Sequence, residues 1–489
     1  MGEQHELEQH RIVVIGTGFA GIGMAVRLKQ AGYDDFVVLE RADDVGGTWR
    51  DNTYPGCRCD VPSHLYSFSF APNPDWSSTF SPQPEIEDYL RKVTDAFGVR
   101  EHIRFGRAVE SAHWDGERWR IQTGAGEFTA DVLVSGMGPL AEPSYPKLPG
   151  IESFEGAVFH SAEWDHDVDL AGRKVAVIGT GASAIQFVPA IQPEVEELHL
   201  FQRTPPWVMP RPDRPITPLE RSVYRRFPLA QKAVRAGIYW GRESMVLGFT
   251  KLPAIMKQAQ KVAERHLAQQ VRDPLLRAKV TPDFTLGCKR VLLSDDYYPA
   301  VARPNVEVVT DGIAQVTPTG IVTDDGVKHE VDTIIYGTGF RVTDLPVMDM
   351  VHGRDGVSLR EAWSDGMEAH LGTAISGFPN FFMLIGPNTG LGHSSMVFMI
   401  ESQIAYIVDA LKTMDANGLK AVEVRREVQR AFVDGVRASM RNTIWTRGGC
   451  TSWYLDAQGR NTTLWPSFTF RFRQLTRRFD PGQYETVAM

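Results

Sequence analysis

Short runs of β-branched and aliphatic residues alternate along this chain with segments of helical periodicity, the pattern of a mainly parallel α/β sheet. Residues 11–15, 36–40, 131–135, 174–178, 197–201, 306–310, 331–336 and 381–385 read as strands. Two of these strands run straight into glycine-rich turns, at Gly16 and Gly179, that open helices. The fold class expected is therefore α/β, with two dinucleotide-binding (Rossmann-like) domains. The stretch 139–149 carries four prolines and reads as the linker between them. From 220 to about 280 the strand pattern gives way to helices, a helical insertion in the second domain. The division expected is a first FAD-type part over 1–140, linker and first NADP-type part over 141–210, and insertion over 211–284. The second NADP-type part then spans 285–326, and the chain returns to the first domain over 327–489, ending in a substrate-site segment.

Composition narrows the class. At 489 residues, 43% hydrophobic and 23% charged, the chain has ordinary globular make-up. A net charge of −8 gives no general attraction to nucleic acid, and no nucleic-acid module is recognisable. No apolar run approaches the roughly 18 residues of a membrane span, and the polar opening MGEQHELEQH does not read as a signal peptide. A cytoplasmic enzyme is expected. The insertion is locally basic, with 13 Lys/Arg against 4 Asp/Glu over 220–280, and reads as a solvated face; peripheral membrane contact by 237–249 is the lesser alternative. Cys57, Cys59, Cys288 and Cys450 form no Cys-x-x-Cys pair and are expected as free thiols, which argues against a dithiol-using flavin reductase. No metal-ligand spacing and no nucleophile elbow is present.

The two turns differ in the residue at the end of the next strand. After Gly16-Thr17-Gly18-Phe19-Ala20-Gly21, Glu40 ends that strand, 19 residues beyond Gly21. A carboxylate there accepts hydrogen bonds from a ribose diol, so an unphosphorylated adenosine is expected. After Gly179-Thr180-Gly181-Ala182-Ser183-Ala184, the residue at the same spacing is Arg203. An arginine there grips a 2′-phosphate, with Lys289 as a second cation, so this half should select NADPH. One plain and one phosphorylated dinucleotide on one chain is the layout of an NADPH-driven flavoprotein.

Two longer patterns sharpen this. Phe154-x-Gly156-x-x-x-His160-x-x-x-Trp164-Asp165 and Gly46-Gly47-x-Trp49-x-x-x-x-Tyr54-Pro55-Gly56-x-x-x-Asp60 resemble the fingerprints of the class B flavoprotein monooxygenases, in particular their Baeyer–Villiger branch. The resemblance runs from Arg11 to about Tyr484 and implies FAD and NADPH as cofactors, O2 and a small apolar ketone as substrates, and oxygen insertion to an ester or lactone through a flavin C4a-peroxide. Cys288-Lys289-Arg290 resembles the family's Lys-Arg pair, which implies Arg290 as the permanent cation beside developing oxyanions and Asp60 as its orienting carboxylate. Gly47, Thr48, Trp49, Asp60, Tyr66, Val109 and Met396 are implied at the flavin. Arg58, Cys59, Thr180, Gly181, Ser183, Gln186 and Thr204 are implied at NADP, with Ala184 completing the turn. His160 reads as a hinge or packing residue rather than an acid–base group. Ser394 or Ser395 should cap the helix that begins near Met396, its positive end near the flavin. Trp453 is a candidate for nicotinamide or substrate contact. The C-terminal loops depart from those of the cyclic-ketone enzymes. Two other readings stay open: a heteroatom oxygenase acting on sulfur or nitrogen, and a non-catalytic flavin protein that responds to NADP.

Overall fold

The computed structural model describes residues 7–488; residues 1–6, most of the polar opening stretch, and Met489 lie outside the described residues. In the first of two large sheets, Leu7–Ile15 lies between Phe36–Leu39 and Gly126–Ser135, parallel to both. Where they are buried on both faces, over 12–15, 36–39 and 132–134, these strands are apolar, with Val13, Val14 and Leu133 at 0% exposure. Gly126–Ser135 shares its far edge between two neighbours: Trp119–Thr123 pairs antiparallel with its first half, and Phe381–Met383 pairs parallel with its second. The antiparallel pair Val109–Trp114 and Trp119–Thr123 is missing from the strands expected of the sequence, although Trp119–Thr123 alternates strictly between buried and exposed positions; neither strand is a continuous apolar run.

The second sheet is wholly parallel, in the spatial order Val306–Val309, Glu197–Phe201, Lys174–Ile178, Thr333–Tyr336, Ala157–His160. Strands 174–178 and 197–201 coincide with the expected ranges. The expected return to the first domain at 327 needs correction. Thr333–Tyr336 is the strand next to Lys174–Ile178 inside the second sheet, and the chain rejoins the first sheet only at Val351–His352. An apolar strand fits either sheet equally well, and nothing local in it names its neighbour.

The insertion is helical: Pro218–Arg226, Pro228–Ser244, Val246–Thr250, Pro253–Gln270 and Pro274–Lys279. Four of these begin on proline, whose fixed φ and missing N–H suit the first helical position and break the run before it. The apolar stretch 237–249 is thereby divided at Met245. Among the described residues no helix is long and apolar enough to cross a membrane. The inner side of the insertion packs Phe249 and Met256 against Trp207, Cys288, Trp445 and Tyr454, which joins it to the C-terminal segment.

Candidate active site

Each glycine turn stands where its strand order reverses, at the carboxyl end of Leu7–Ile15 or Lys174–Ile178, the crevice in which open α/β sheets take ligands. Phe19–Gln30 follows the first turn and Ala184–Ile191 the second. The third glycine of the first turn is forced by packing, since a Cβ on Gly21 would lie 1.8 Å from the Gly16 carbonyl oxygen. Glu40 is buried at 4% exposure and held in place: Oε2 accepts from the Thr17 N–H at 2.9 Å and its hydroxyl at 2.5 Å, and Oε1 accepts from the Ala42 N–H at 2.9 Å. Arg50 Nη1 stands 3.2 Å from Oε1.

In the second unit Arg203 is exposed and Lys289 half-buried. Burial and the neighbouring Arg203 charge together hold the Lys289 ammonium below its usual range, so the two cations are near enough to feel one another. The hydroxyl of Thr180 donates to the Thr204 carbonyl at 3.3 Å. Gln186 clamps the backbone of Arg58 from across the interface between the units: its Oε1 accepts the Arg58 N–H at 3.2 Å and its Nε2 donates to the Arg58 carbonyl at 3.1 Å. The Arg58 side chain pairs with Asp213 at 2.8 Å. Ser183 precedes the helix Ala184–Ile191 without capping it through its side chain.

Two residues beyond Arg58 stands Asp60, half of a charged centre. Arg290 grips Asp60 with two parallel hydrogen bonds, Nε to Oδ2 at 2.8 Å and Nη2 to Oδ1 at 2.6 Å. This bidentate fork is the strongest arrangement available to a guanidinium and a carboxylate. The Asp60 charge raises the Arg290 pKa further above its ordinary value, so the cation is permanent. Cys59, Tyr66 and Tyr454 lie close enough to feel this pair, and Trp49 Nε1 donates to the Tyr66 hydroxyl at 3.0 Å. Burial pushes the Tyr454 phenol up to about 12 and the Cys57 thiol likewise to about 12, so both are neutral.

Other expected residues fall elsewhere. Val109 is buried in the apolar core of the first sheet, and Met396 is partly buried at the start of Met396–Ala416. Ser395 does cap that helix, accepting the Val397 N–H at 3.2 Å. Trp453 is 44% exposed and lines a cleft of about 370 Å³ with Tyr145, Phe340 and Asp344, whereas its neighbour Tyr454 turns inward toward Arg290. His160 is fully buried; Nδ1 accepts the Ala162 N–H at 3.0 Å, and burial pushes the imidazole down to about 4.

The expectation of four free thiols fails for two of them. Cys288 and Cys450 are joined in a disulfide across 162 residues, while Cys57 and Cys59 remain free and buried. The bond ties the Lys289-Arg290 segment to the strand of chain that carries Tyr454, a proximity that spacing alone does not show. Three further contributors went unseen in the sequence. Arg242, from the insertion, brings a second guanidinium to Asp60, with Nη2 3.4 Å from the Asp60 carbonyl. Glu243 and His393 form a buried pair at 3.2 Å, each side chain 1% exposed, and Glu243 also accepts from Thr469, which locks the insertion to the 386–395 loop. A helix of the insertion reads only as amphipathic, so its inward charges carried no signal.

The chain's likenesses fit this geometry. Residues 13–228 match the family model described as pyridine nucleotide-disulphide oxidoreductase. A Baeyer-Villiger monooxygenase of Streptomyces coelicolor is 54% identical over 492 residues, covering 100% of this chain and 95% of that protein. The crystal structure of cyclohexanone monooxygenase from Rhodococcus sp. Phi1 bound to NADP+ superposes with a TM-score of 0.88 at 29% identity, over 99% of this chain and 100% of that one. A structure of OTEMO in complex with FAD and NADP gives 0.87 at 28% identity, over 98% and 99%.

Proposed function

The chain belongs to the Baeyer–Villiger monooxygenases, NADP-dependent flavoenzymes, and on that premise we propose that it inserts one oxygen atom of O2 beside the carbonyl of a small apolar ketone, with Arg290 and Asp60 as its central pair. The residues present fit both cofactors. At Gly18 and Gly181 a Cβ would meet nothing closer than 3.9 and 3.8 Å, which leaves space over each helix start for a pyrophosphate. The buried hydroxyls of Ser135, Ser394, Thr462 and Thr463 have no hydrogen-bond partner within the protein, and a flavin ring system with its side chain supplies donors and acceptors for such groups. Glu40 suits the adenosine ribose of FAD; Arg203 and Lys289 suit the 2′-phosphate of NADPH. FAD, reduced by NADPH, supplies the chemistry that activates O2.

The protein's own contribution is positional and electrostatic. A guanidinium has five N–H groups, and Asp60 engages two of those on Arg290, so three remain for an oxyanion that develops on the ketone oxygen. Asp60 fixes the plane of the fork, while Tyr66, Tyr454 and the Cys288–Cys450 linkage hold the ground around it. Arg242 offsets part of the Asp60 charge, leaving the centre net positive. The cytoplasmic location expected from the sequence is kept in this proposal, and alkylation of thiols in freshly lysed cells reads whether Cys288 and Cys450 are oxidised there.

The observation that carries the reading is the bidentate Arg290–Asp60 pair. Its test is Arg290→Ala and Arg290→Lys, with NADPH oxidation and products followed by mass on a panel of ketones and a thioether. Oxygen insertion should fall on the order of 10²–10³-fold in Arg290→Ala while bound flavin is retained. Unchanged ester formation in that variant overturns the proposal, and a wild-type enzyme that makes only sulfoxide moves the chain to heteroatom oxidation.

A further inference from the structure

His199 and Glu307 stand directly opposite each other on adjacent parallel strands of the second sheet, Glu197–Phe201 and Val306–Val309. His329 reaches the same point from Lys328–Glu330, an edge strand of the small antiparallel sheet Ile313–Thr317, Gly320–Thr323, Lys328–Glu330. The three come from three separate strands, so no sequence spacing could announce them. Glu307 Oε2 lies 3.0 Å from His199 Nδ1 and 3.4 Å from His329 Nδ1, and all three atoms fall within 4.8 Å of one another. A tetrahedral metal with bonds of about 2.0–2.1 Å sets neighbouring ligand atoms about 3.3 Å apart; the His329 distance matches that edge, and the His199 contact, a 3.0 Å hydrogen bond as it stands, needs only a small opening to reach it.

The surroundings are those of a metal ligand set. The imidazole planes are inclined at 66° with centroids 5.2 Å apart, so the rings meet edge to face and are not stacked. His199 keeps its other nitrogen, Nε2, buried without a hydrogen-bond partner, and the Glu197 carboxylate stands 3.4 Å from it. A carboxylate that moves to accept from that nitrogen would fix the tautomer of a ligating imidazole and raise its basicity. Phe201 meets the His329 ring edge-on at 5.4 Å and limits its rotation. The His199 and His329 side chains are 12% and 7% exposed, while Glu307 is 53% exposed, which leaves one open side for entry and for a water ligand.

We propose that His199, Glu307 and His329 form a divalent transition-metal site of the zinc class, separate from the oxygenation centre. Two imidazoles and one carboxylate select zinc-like ions over Mg²⁺ and Ca²⁺, which take oxygen ligands. The ion cross-links the outermost strand of the second sheet, its neighbour and the small sheet laid over them, so its effect is on stability. The inference is independent of the proposed reaction, and its readouts are metal content and melting temperature.

The test uses tag-free, FAD-loaded protein stripped with a chelator, dialysed against Zn²⁺ and analysed for metal, beside His329→Asn and Glu307→Gln. Expected are one Zn²⁺ per wild-type chain, unaffected by excess Mg²⁺, and a melting temperature raised on the order of 2 °C by Zn²⁺. Both variants should hold clearly less than one equivalent, lose that rise and keep their flavin. Glu307 is half-exposed, so Glu307→Gln decides the matter if His329→Asn does not fold. Absence of stoichiometric Zn²⁺ in the wild type overturns the proposal. So does undiminished binding in the variants, which would place the ion elsewhere on the chain.

Discussion

In the first glycine turn the hydroxyl of Thr17 is spent on the Glu40 carboxylate, at 2.5 Å; in the second, the matching Thr180 reaches past the strand end to the Thr204 carbonyl, at 3.3 Å. Glu40 is consequently buried and pre-positioned, while Arg203 stands exposed. The third position differs in the same sense. Gly21 is packed against the Gly16 carbonyl so closely that no side chain fits, whereas the second turn accommodates Ala184 at 0% exposure. The two halves share a backbone plan but not a stiffness. A tight turn with a buried, pre-positioned carboxylate suits a nucleotide that stays; a looser turn with a solvent-facing cation suits one that enters and leaves in each cycle.

The comparison breaks most visibly at the third position. Gly21→Ala should abolish flavin incorporation or folding, while Ala184→Gly should cost about 1 kcal/mol, read by flavin absorbance and thermal melting. Comparable losses in both would mean the turns are equally tight. Acid probes the second sheet at the end of Ala157–His160. Burial lowers the folded-state pKa of His160 to about 4, so its contribution is intact above pH 6.5 and is lost as pH falls from there toward 4. The loss amounts to as much as ~3 kcal/mol. His160→Asn, which can still accept the Ala162 N–H, should flatten that part of the stability–pH curve in denaturant titrations; an unchanged curve refutes it.

The solvent-facing cation gives the next effect. Arg203→Ala should raise the NADPH KM about 10- to 100-fold and leave the NADH KM unmoved, since one charge-assisted contact to phosphate is worth about 1.5–3 kcal/mol. Equal rises for both nucleotides would show that Arg203 supports the strand end and does not read the phosphate. The smallest contrast is between the two threonines. Thr17→Val leaves a buried carboxylate short of a donor and should cost about 1–3 kcal/mol, whereas Thr180→Val should cost under about 1 kcal/mol, both by chemical denaturation.

Much of this was legible in the chain because it is local. Lys174–Ile178 is an apolar run buried from Val175 onward and Glu197–Phe201 sets Leu198 and Leu200 inward between polar positions, so both could be placed to the residue. The turns at Gly16 and Gly179, and the opposite charges of Glu40 and Arg203, lie within single βαβ units, where spacing along the sequence is spacing in the fold. Arg290 and Asp60 were reached through motif resemblance, and their side chains do meet.

The features that stayed hidden depend on contacts between distant segments. The membership of Thr333–Tyr336 in the second sheet, the Cys288–Cys450 bond, the approach of Arg242 to Asp60 and the meeting of His199 with His329 each require three-dimensional neighbours. The amino-acid pattern by itself determined where the two strand–turn–helix units lie and that the helical insertion interrupts the second, because periodicity and short-range sterics settle those. Tertiary structure alone decided which charges face one another, because long-range pairing is chosen by the packing of the whole core and leaves no mark on either partner's immediate sequence.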